Sequence, residues 1–214
     1  MTDDGPTPLE RFLNGILPEN PVYRQLLGMC PTLAVTNGMR EAMTMAGAVT
    51  FVLVSANVLI SLIRPLLKPH LRILVFTLTI AAFVTIADRF LAARLPEMSR
   101  RLGPYVPLII VNCIIICRCE VCASKQGVLT AIGDAVGQSI GFALALASIA
   151  TVREVLGSGT WFGWELLPES IWPKWGIMLL PPGAFLTLGL LLGGANTISS
   201  RLSARKPAAQ AAQG

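Results

Sequence analysis

Leu26-Leu27-Gly28-Met29-Cys30-Pro31 is the stretch whose reading decides the fold. It sets a thiol between two helix-disrupting residues inside an apolar segment of membrane length. Proline withholds an N–H from a helix and clashes with the preceding turn, and glycine loosens the backbone. The stretch therefore predicts a broken helix. A counterpart, Pro107-Leu108-Ile109-Ile110-Val111-Asn112-Cys113, carries a second thiol 83 residues later, again beside prolines. Similar apolar patterns follow both cysteines. A duplicated, broken membrane helix with one soft metal ligand in each copy suggests buried redox chemistry.

Composition agrees with a membrane setting. Of 214 residues, 53% are hydrophobic and only 14% charged, and mean hydropathy is +0.65. Soluble domains carry about 25% charged residues. The apolar excess falls in long runs, which marks a polytopic membrane protein with the lipid bilayer as its solvent. The formal net charge of +5 is modest and requires no nucleic acid. Five cysteines is an odd number, and all lie in or near apolar segments, so a secreted disulfide framework is not expected. Asp3, Asp4, Glu10 and Glu19 near the start do not fit a basic, apolar-cored signal peptide, so none is expected.

Six apolar segments follow along the chain, at about 11–36, 40–63, 71–93, 104–123, 126–152 and 174–197. Each is near the ~20 residues that cross a bilayer core. Only helices satisfy their own backbone in lipid at such lengths. The fold class expected is therefore an all-α polytopic membrane protein. Its six transmembrane helices form two inverted three-helix repeats, because three crossings per half turn the second half upside down. The weak first segment of each half is its broken helix. The division expected is an N-terminal cytoplasmic segment 1–19, a membrane domain 20–200 and a disordered tail 201–214. Within the membrane domain the repeats fall at about 20–95 and 104–198.

If the termini share one side, that side holds ten Lys and Arg against seven opposite, which favours cytoplasmic termini. The loop at about 153–173, with Trp161, Trp164 and Trp172, reads as an exoplasmic interfacial segment.

The residues resemble a known family. Asn20-Pro21-Val22 and Leu26 to Asn37, with Gly28, Cys30 and Pro31, look like the first motif of the RnfE/NqrD family. Pro107 to Ile115 with Arg118, Glu120 and Ala123-Ser124-Lys125, then Arg153-Glu154-Val155-Leu156-Gly157, then Leu179 to Phe185, look like its later motifs. The resemblance spans about residues 20–200 and favours the RnfE branch. It implies an integral, multi-pass component of a bacterial inner-membrane translocase, not catalytic alone. Such a complex exchanges electrons between ferredoxin and NADH, coupled to Na⁺ or H⁺ movement. The resemblance further implies a homologous sister subunit, RnfA, in opposite orientation, and the other subunits RnfB, RnfC, RnfD and RnfG. It makes Cys30 and Cys113 this chain's two ligands to the irons of a [2Fe–2S] cluster, with two more from the sister.

Ligand arithmetic fits that implication. Such a cluster usually takes four thiolates, so two matched cysteines need a partner or other cysteines here. A cysteine in a membrane helix also serves as a small buried hydrophobe, but two at matching breaks favour ligation. One departure from the family pattern is Cys113-Ile114-Ile115-Ile116-Cys117-Arg118-Cys119-Glu120-Val121-Cys122. Cys113 and Cys117 share a helix face, as do Cys119 and Cys122. A single helix does not easily wrap four ligands around a cluster, and the spacing matches neither ferredoxin pattern. Cys117 and Cys119, with Arg118 and Glu120, are secondary candidates for the site.

Other polar residues have local readings. Arg40 with Glu41, and Arg118 with Glu120, read as helix-end ion pairs, or as parts of an ion path. Asn57, Asp134 and Gln138 are candidates for interhelical hydrogen bonds. Gly133, Gly137 and Gly141 make a GxxxGxxxG face for close helix contact. Pro181-Pro182 is expected to kink the sixth segment, and His70 to be solvated. No phosphate-binding loop or nucleotide motif is present. Outside the redox class, a secondary transporter with inverted repeats is the alternative. Within it, the alternative is an NqrD-type component of a sodium-pumping NADH:quinone reductase.

Overall fold

Long uninterrupted apolar runs become long helices, and runs broken by Pro and Gly become short ones. The structure is a computed structural model that describes residues 8–16, 19–66, 69–162, 164–165 and 180–211. In chain order the helices are α1 (Pro8–Ile16), α2 (Met29–Val35), α3 (Met39–Ile63), α4 (Arg72–Arg94), α5 (Pro96–Leu102), α6 (Pro107–Ile110), α7 (Cys113–Arg118), α8 (Val128–Ser158) and α9 (Pro181–Ala211). Three of them, α3, α4 and α8, are long and apolar enough to cross a membrane. Pro96–Tyr105 and Pro107–Ala123 form a fourth candidate span, bent by 55° at its break. That span ends in a π-helical turn, Cys119–Ala123. Apart from a two-residue ladder of Thr160–Trp161 (β1) with Trp164–Glu165 (β2), the described regular structure is helical.

The core lies between α3 and α8. Val49, Val52, Leu53 and Ala56 of α3 and Ala135, Phe142, Ala145 and Leu146 of α8 are all fully buried. The two helices run antiparallel. At one end the Met39 N–H donates to Glu154 Oε2 at 2.8 Å. At the other the Ser61 hydroxyl donates to the Gln126 carbonyl at 3.3 Å.

The first segment runs along α8 in α8's own direction. A Cβ on Gly137 would lie 2.5 Å from the Phe12 carbonyl oxygen, and one on Gly141 2.5 Å from that of Gly15. Further on, Asn20 Nδ2 donates to the Gly141 carbonyl at 2.9 Å, and Tyr23 and Ser148 share a hydroxyl hydrogen bond. Arg153 Nη1 donates to Thr36 Oγ1 at 2.6 Å. From Gly137 to Arg153 is about 24 Å of helix, most of a hydrocarbon core of ~30 Å. The glycine face thus serves close packing within the chain, against α1.

The fourth segment runs the opposite way. It starts where Arg101 pairs with Glu41 at 3.0 Å and ends where Glu120 meets Arg72, the first residue of α4, at 3.4 Å.

Several expectations change. Helix α1 docks on the small-residue face of α8. Helix α8 runs to Ser158, so Arg153 and Glu154 belong to the helix and not to a loop; both are buried and hydrogen-bonded. Trp172 and residues 166–179 lie outside the described residues. Pro181-Pro182 begins α9 without kinking it, since the first helical positions need no N–H donor. The same helix continues to Ala211.

A candidate redox site where two helix breaks meet

The break in the first segment is built by its own side chains. Asn20 Oδ1 accepts from the Val22 and Tyr23 N–H groups at 3.1 Å, an Asx turn that ends the incoming chain. Leu26 and Gly28 then take left-handed conformations, with φ of 55° and 73°. For Leu26 this is uncommon and costs energy; for Gly28 it is ordinary. Helix α2 begins directly after Gly28 and carries Cys30 in its first turn.

The fourth segment breaks at Val111-Asn112. Asn112 is buried, and its side chain caps α7 by accepting from the Ile114 N–H at 3.1 Å. Cys113 is the first residue of α7.

The two breaks touch. The Gly28 N–H donates to Cys113 Sγ at 2.9 Å, across 85 residues of sequence. Cys30 follows Gly28 by two residues, so its Cα lies within about 7 Å of Gly28's. Three residues before Gly28, Gln25 Oε1 accepts from Arg118 Nη2 at 2.8 Å. Residues 25 and 28 thus meet 118 and 113 in reverse order, as expected of two antiparallel broken helices in contact.

Cys30 and Cys113 are both exposed on the isolated chain, with Leu26 and Val111 exposed beside them at 51% and 67%. Among the described residues, no three His, Cys, Asp or Glu side chains cluster closely enough to hold a metal ion. The donor set at the breaks is therefore two outward-facing thiols, a shape that fits half of a four-thiolate site.

The remaining cysteines differ. Cys119 and Cys122 are buried, and Cys117 is half-exposed one turn beyond Cys113. The Cys122 thiol donates to Gln126 Oε1 at 3.5 Å.

The charged residues of the motif pair elsewhere than their neighbours suggest. Arg118 is bound to Asp134 at 3.3 Å, Glu120 to Arg72, and Glu41 to Arg101. Residues one or two apart on a helix point in different directions, which is why neither Arg40–Glu41 nor Arg118–Glu120 forms a pair. Gln138 Nε2 reaches the Glu19 carbonyl at 3.4 Å. Asn57 is fully buried, and neither of its amide atoms has a partner among the described residues.

Arg153 and Glu154 hold the far end of the first segment. Besides Thr36, Arg153 Nη1 donates to the Leu33 carbonyl at 3.4 Å, near the C-terminus of α2. Glu154 accepts from the N-terminus of α3. A cation at a helix C-terminus and an anion at an N-terminus each complement the helix dipole. Asn20, Tyr23 and Gln25, which shape the first break, carry no catalytic pattern of their own. Beyond the Asn20-Pro21-Val22 motif, the sequence signal is Asn before Pro, a turn initiator.

The family described as "Rnf-Nqr subunit, membrane protein" matches residues 9–192. The chain belongs to the Rnf-Nqr family. Among its relatives is the E-type component of the Na(+)-translocating ferredoxin:NAD(+) oxidoreductase complex of Acetobacterium woodii. That protein is 44% identical, over 86% of this chain and 94% of the relative. The D-type component of the Na(+)-translocating NADH-quinone reductase of Aeromonas salmonicida is 43% identical, over 87% and 90%. The E-type component of the ion-translocating oxidoreductase complex of Methanosarcina acetivorans is 42% identical, over 86% and 88%. Two kinds of complex are therefore represented at nearly equal identity, and this Rnf-Nqr chain places both cysteines at its meeting helix breaks.

Proposed function

We propose that this chain is a membrane subunit of a redox-driven ion pump, and that it conducts electrons through a [2Fe–2S] cluster shared with a homologous sister subunit. Cys30 and Cys113 would supply two thiolates, and the sister, of the RnfA kind, two more. When bound, such a cluster supplies one-electron storage within the membrane. The observation that carries the reading is the Gly28–Cys113 contact, which joins the two breaks and leaves both thiols facing outward.

The chain's own residues provide the rest. A thiolate is costly in hydrocarbon, and coordination to a metal removes that cost. The short helices α2 and α7 let backbone leave the helical ladder at depth, which is tolerable only where protein covers it. The exposed Leu26 and Val111 beside the cysteines supply apolar surface for a covering partner. Buried aliphatic and aromatic residues behind the site, Ile114, Ile115 and Phe142, keep water from its inner side.

The reading includes six crossings in two inverted three-helix repeats. The opposed directions of the first and fourth segments, and of α3 and α8, support it. It also places the chain in a bacterial inner membrane with cytoplasmic termini. The complex would couple ferredoxin and NADH electron exchange to Na⁺ or H⁺ movement, with RnfB, RnfC, RnfD and RnfG as further partners.

Iron analysis and EPR of the purified complex test the assignment. The wild-type complex should be coloured and bleached by dithionite, and Cys30→Ser or Cys113→Ser should remove the [2Fe–2S] signal. A colourless, iron-free preparation with intact partners would instead favour an inverted-repeat transporter. The 43% identity to the D-type component of an NADH-quinone reductase supports a second reading within the redox class. Copurification of ferredoxin-type iron–sulfur subunits decides for the Rnf type.

A further inference from the structure

The two cysteines are not equivalent within this chain. Cys113 Sγ accepts the Gly28 N–H, whereas among the described residues no hydrogen bond reaches the Cys30 sulfur. The donor is a backbone amide, so its presence depends on where the break loop lies and not on a side chain at position 28. We propose that Gly28 is a tuning element of the site: its N–H stabilises charge on the Cys113 sulfur, and the Arg118–Gln25 contact holds it there. The proposal rests on the reading that Cys113 ligates iron.

The geometry leaves little freedom. Gly28 sits at φ 73°, where an L side chain is strained. A Cβ there would come within 2.4 Å of Ile114 Cδ1 and 3.1 Å of Phe142 Cε2. The glycine is thus what lets the first break close on the second with its N–H directed at sulfur. Gln25 fastens the same loop twice. Its Nε2 donates to the Glu19 carbonyl at 2.9 Å, and its Oε1 accepts from Arg118 at 2.8 Å. Arg118 stands on α7, one turn and a half beyond Cys113, and is anchored on α8 by Asp134. The same short helix that presents the sulfur therefore also fixes the loop that presents the donor.

The sign of the effect follows from charge. Reduction adds an electron to the thiolate-bound site, and an N–H directed at a ligand sulfur favours the more negative state. Hydrogen bonds to the sulfurs are among the terms that set such potentials. Losing the donor should lower the midpoint potential. Among the described residues Gly28 donates to Cys113 and not to Cys30, so the effect should fall on Cys113.

An EPR-monitored redox titration of the whole complex tests this without using turnover. In Gly28→Ala the oxidised-to-reduced ratio at fixed poise should rise about tenfold, equivalent to about 59 mV for a one-electron couple. Gln25→Leu, which removes the acceptor for Arg118, should shift the midpoint in the same direction by a smaller, several-fold change. Gly47→Ala, on the exposed side of α3 with nothing within 4 Å of the added atom, leaves both breaks untouched, so its midpoint should match wild type. If Gly28→Ala fails to assemble, Gln25→Leu decides alone. A full signal at the wild-type midpoint in Gln25→Leu would overturn the proposal while leaving Cys113 as a ligand. An iron-free wild-type complex would overturn the shared-site reading itself, a different and separately visible failure.

Discussion

Arg118 and Asp134 form an ion pair of 3.3 Å inside the bundle, with side chains only 5% and 1% exposed. Arg118 comes from the helix that begins at Cys113, and Asp134 from the long helix behind it. Removing one member of a buried pair leaves the other charge uncompensated, at about 3–5 kcal/mol. Replacing both with apolar residues of similar size is often nearly neutral. Arg118→Met and Asp134→Leu are each expected to lower the melting temperature of the detergent-solubilised complex sharply. The double variant should lie closer to wild type than either single one. Additive losses in the double-mutant cycle would mean that the two charges do not depend on each other.

This pair also marks the limit of what the chain's order reveals. The long helices are legible because an apolar run of membrane length has one solution in lipid. The face of Gly133, Gly137 and Gly141 is legible because spacing by four repeats on one side of a helix. The partners of the charges are not. Glu120 lies two positions from Arg118 and points elsewhere, while Asp134 lies across a turn. Arg153 is a similar case: a cation at the end of an apolar run looks like the start of a loop, and its partners Leu33 and Thr36 lie more than a hundred residues earlier. Both cysteines are visible from their breaks, but which backbone N–H of a break reaches which sulfur is not, because that depends on how the two loops meet.

The glycine face gives a paired prediction. At Gly137 an added Cβ would meet the Phe12 carbonyl oxygen at 2.5 Å and the Phe12 Cα at 2.9 Å, both backbone atoms that cannot swing aside. Gly137→Ala should therefore push α1 off α8, costing roughly 1–3 kcal/mol or more, as overpacking does. Limited proteolysis should cut near the N-terminus faster. Gly47, on the exposed side of α3, has nothing within 4 Å of the same added atom. Gly47→Ala should leave proteolysis unchanged and raise stability by up to about 1 kcal/mol through helix propensity. Equal proteolysis rates in the two variants would contradict the docking of α1.

Arg153 should resist conservative replacement. It is fully buried, and its guanidinium reaches Thr36 Oγ1, the Leu33 carbonyl and, at 3.4 Å, the Leu180 carbonyl. It thus joins α2, α8 and the start of α9. A lysine ammonium is a compact charge without the planar fork needed to serve separated acceptors. Arg153→Lys is expected to lose most of what Arg153→Met loses, on the order of 3 kcal/mol, read as a lower melting temperature. Full recovery by lysine would show that the charge alone suffices.

The three additional cysteines allow the ligand count to be checked directly. Cys119 and Cys122 are 0% and 1% exposed and lie in the π-helical turn, whereas Cys30 and Cys113 open outward at the meeting breaks. Thiols buried on the inner side of the helix cannot reach a group held at its outer side without unwinding the turn. Cys117 is on the Cys113 face and is half-exposed, so it is the better placed of the three. It still lies a full helical turn, about 5.4 Å of rise, from the break. Replacing Cys117, Cys119 and Cys122 together by alanine should leave the iron content and EPR line shape of the complex at wild-type values. Cys30→Ser alone should abolish the signal. Loss of half or more of the iron in the triple variant would move the site onto this helix, and restoring Cys117 by itself would then identify the ligand.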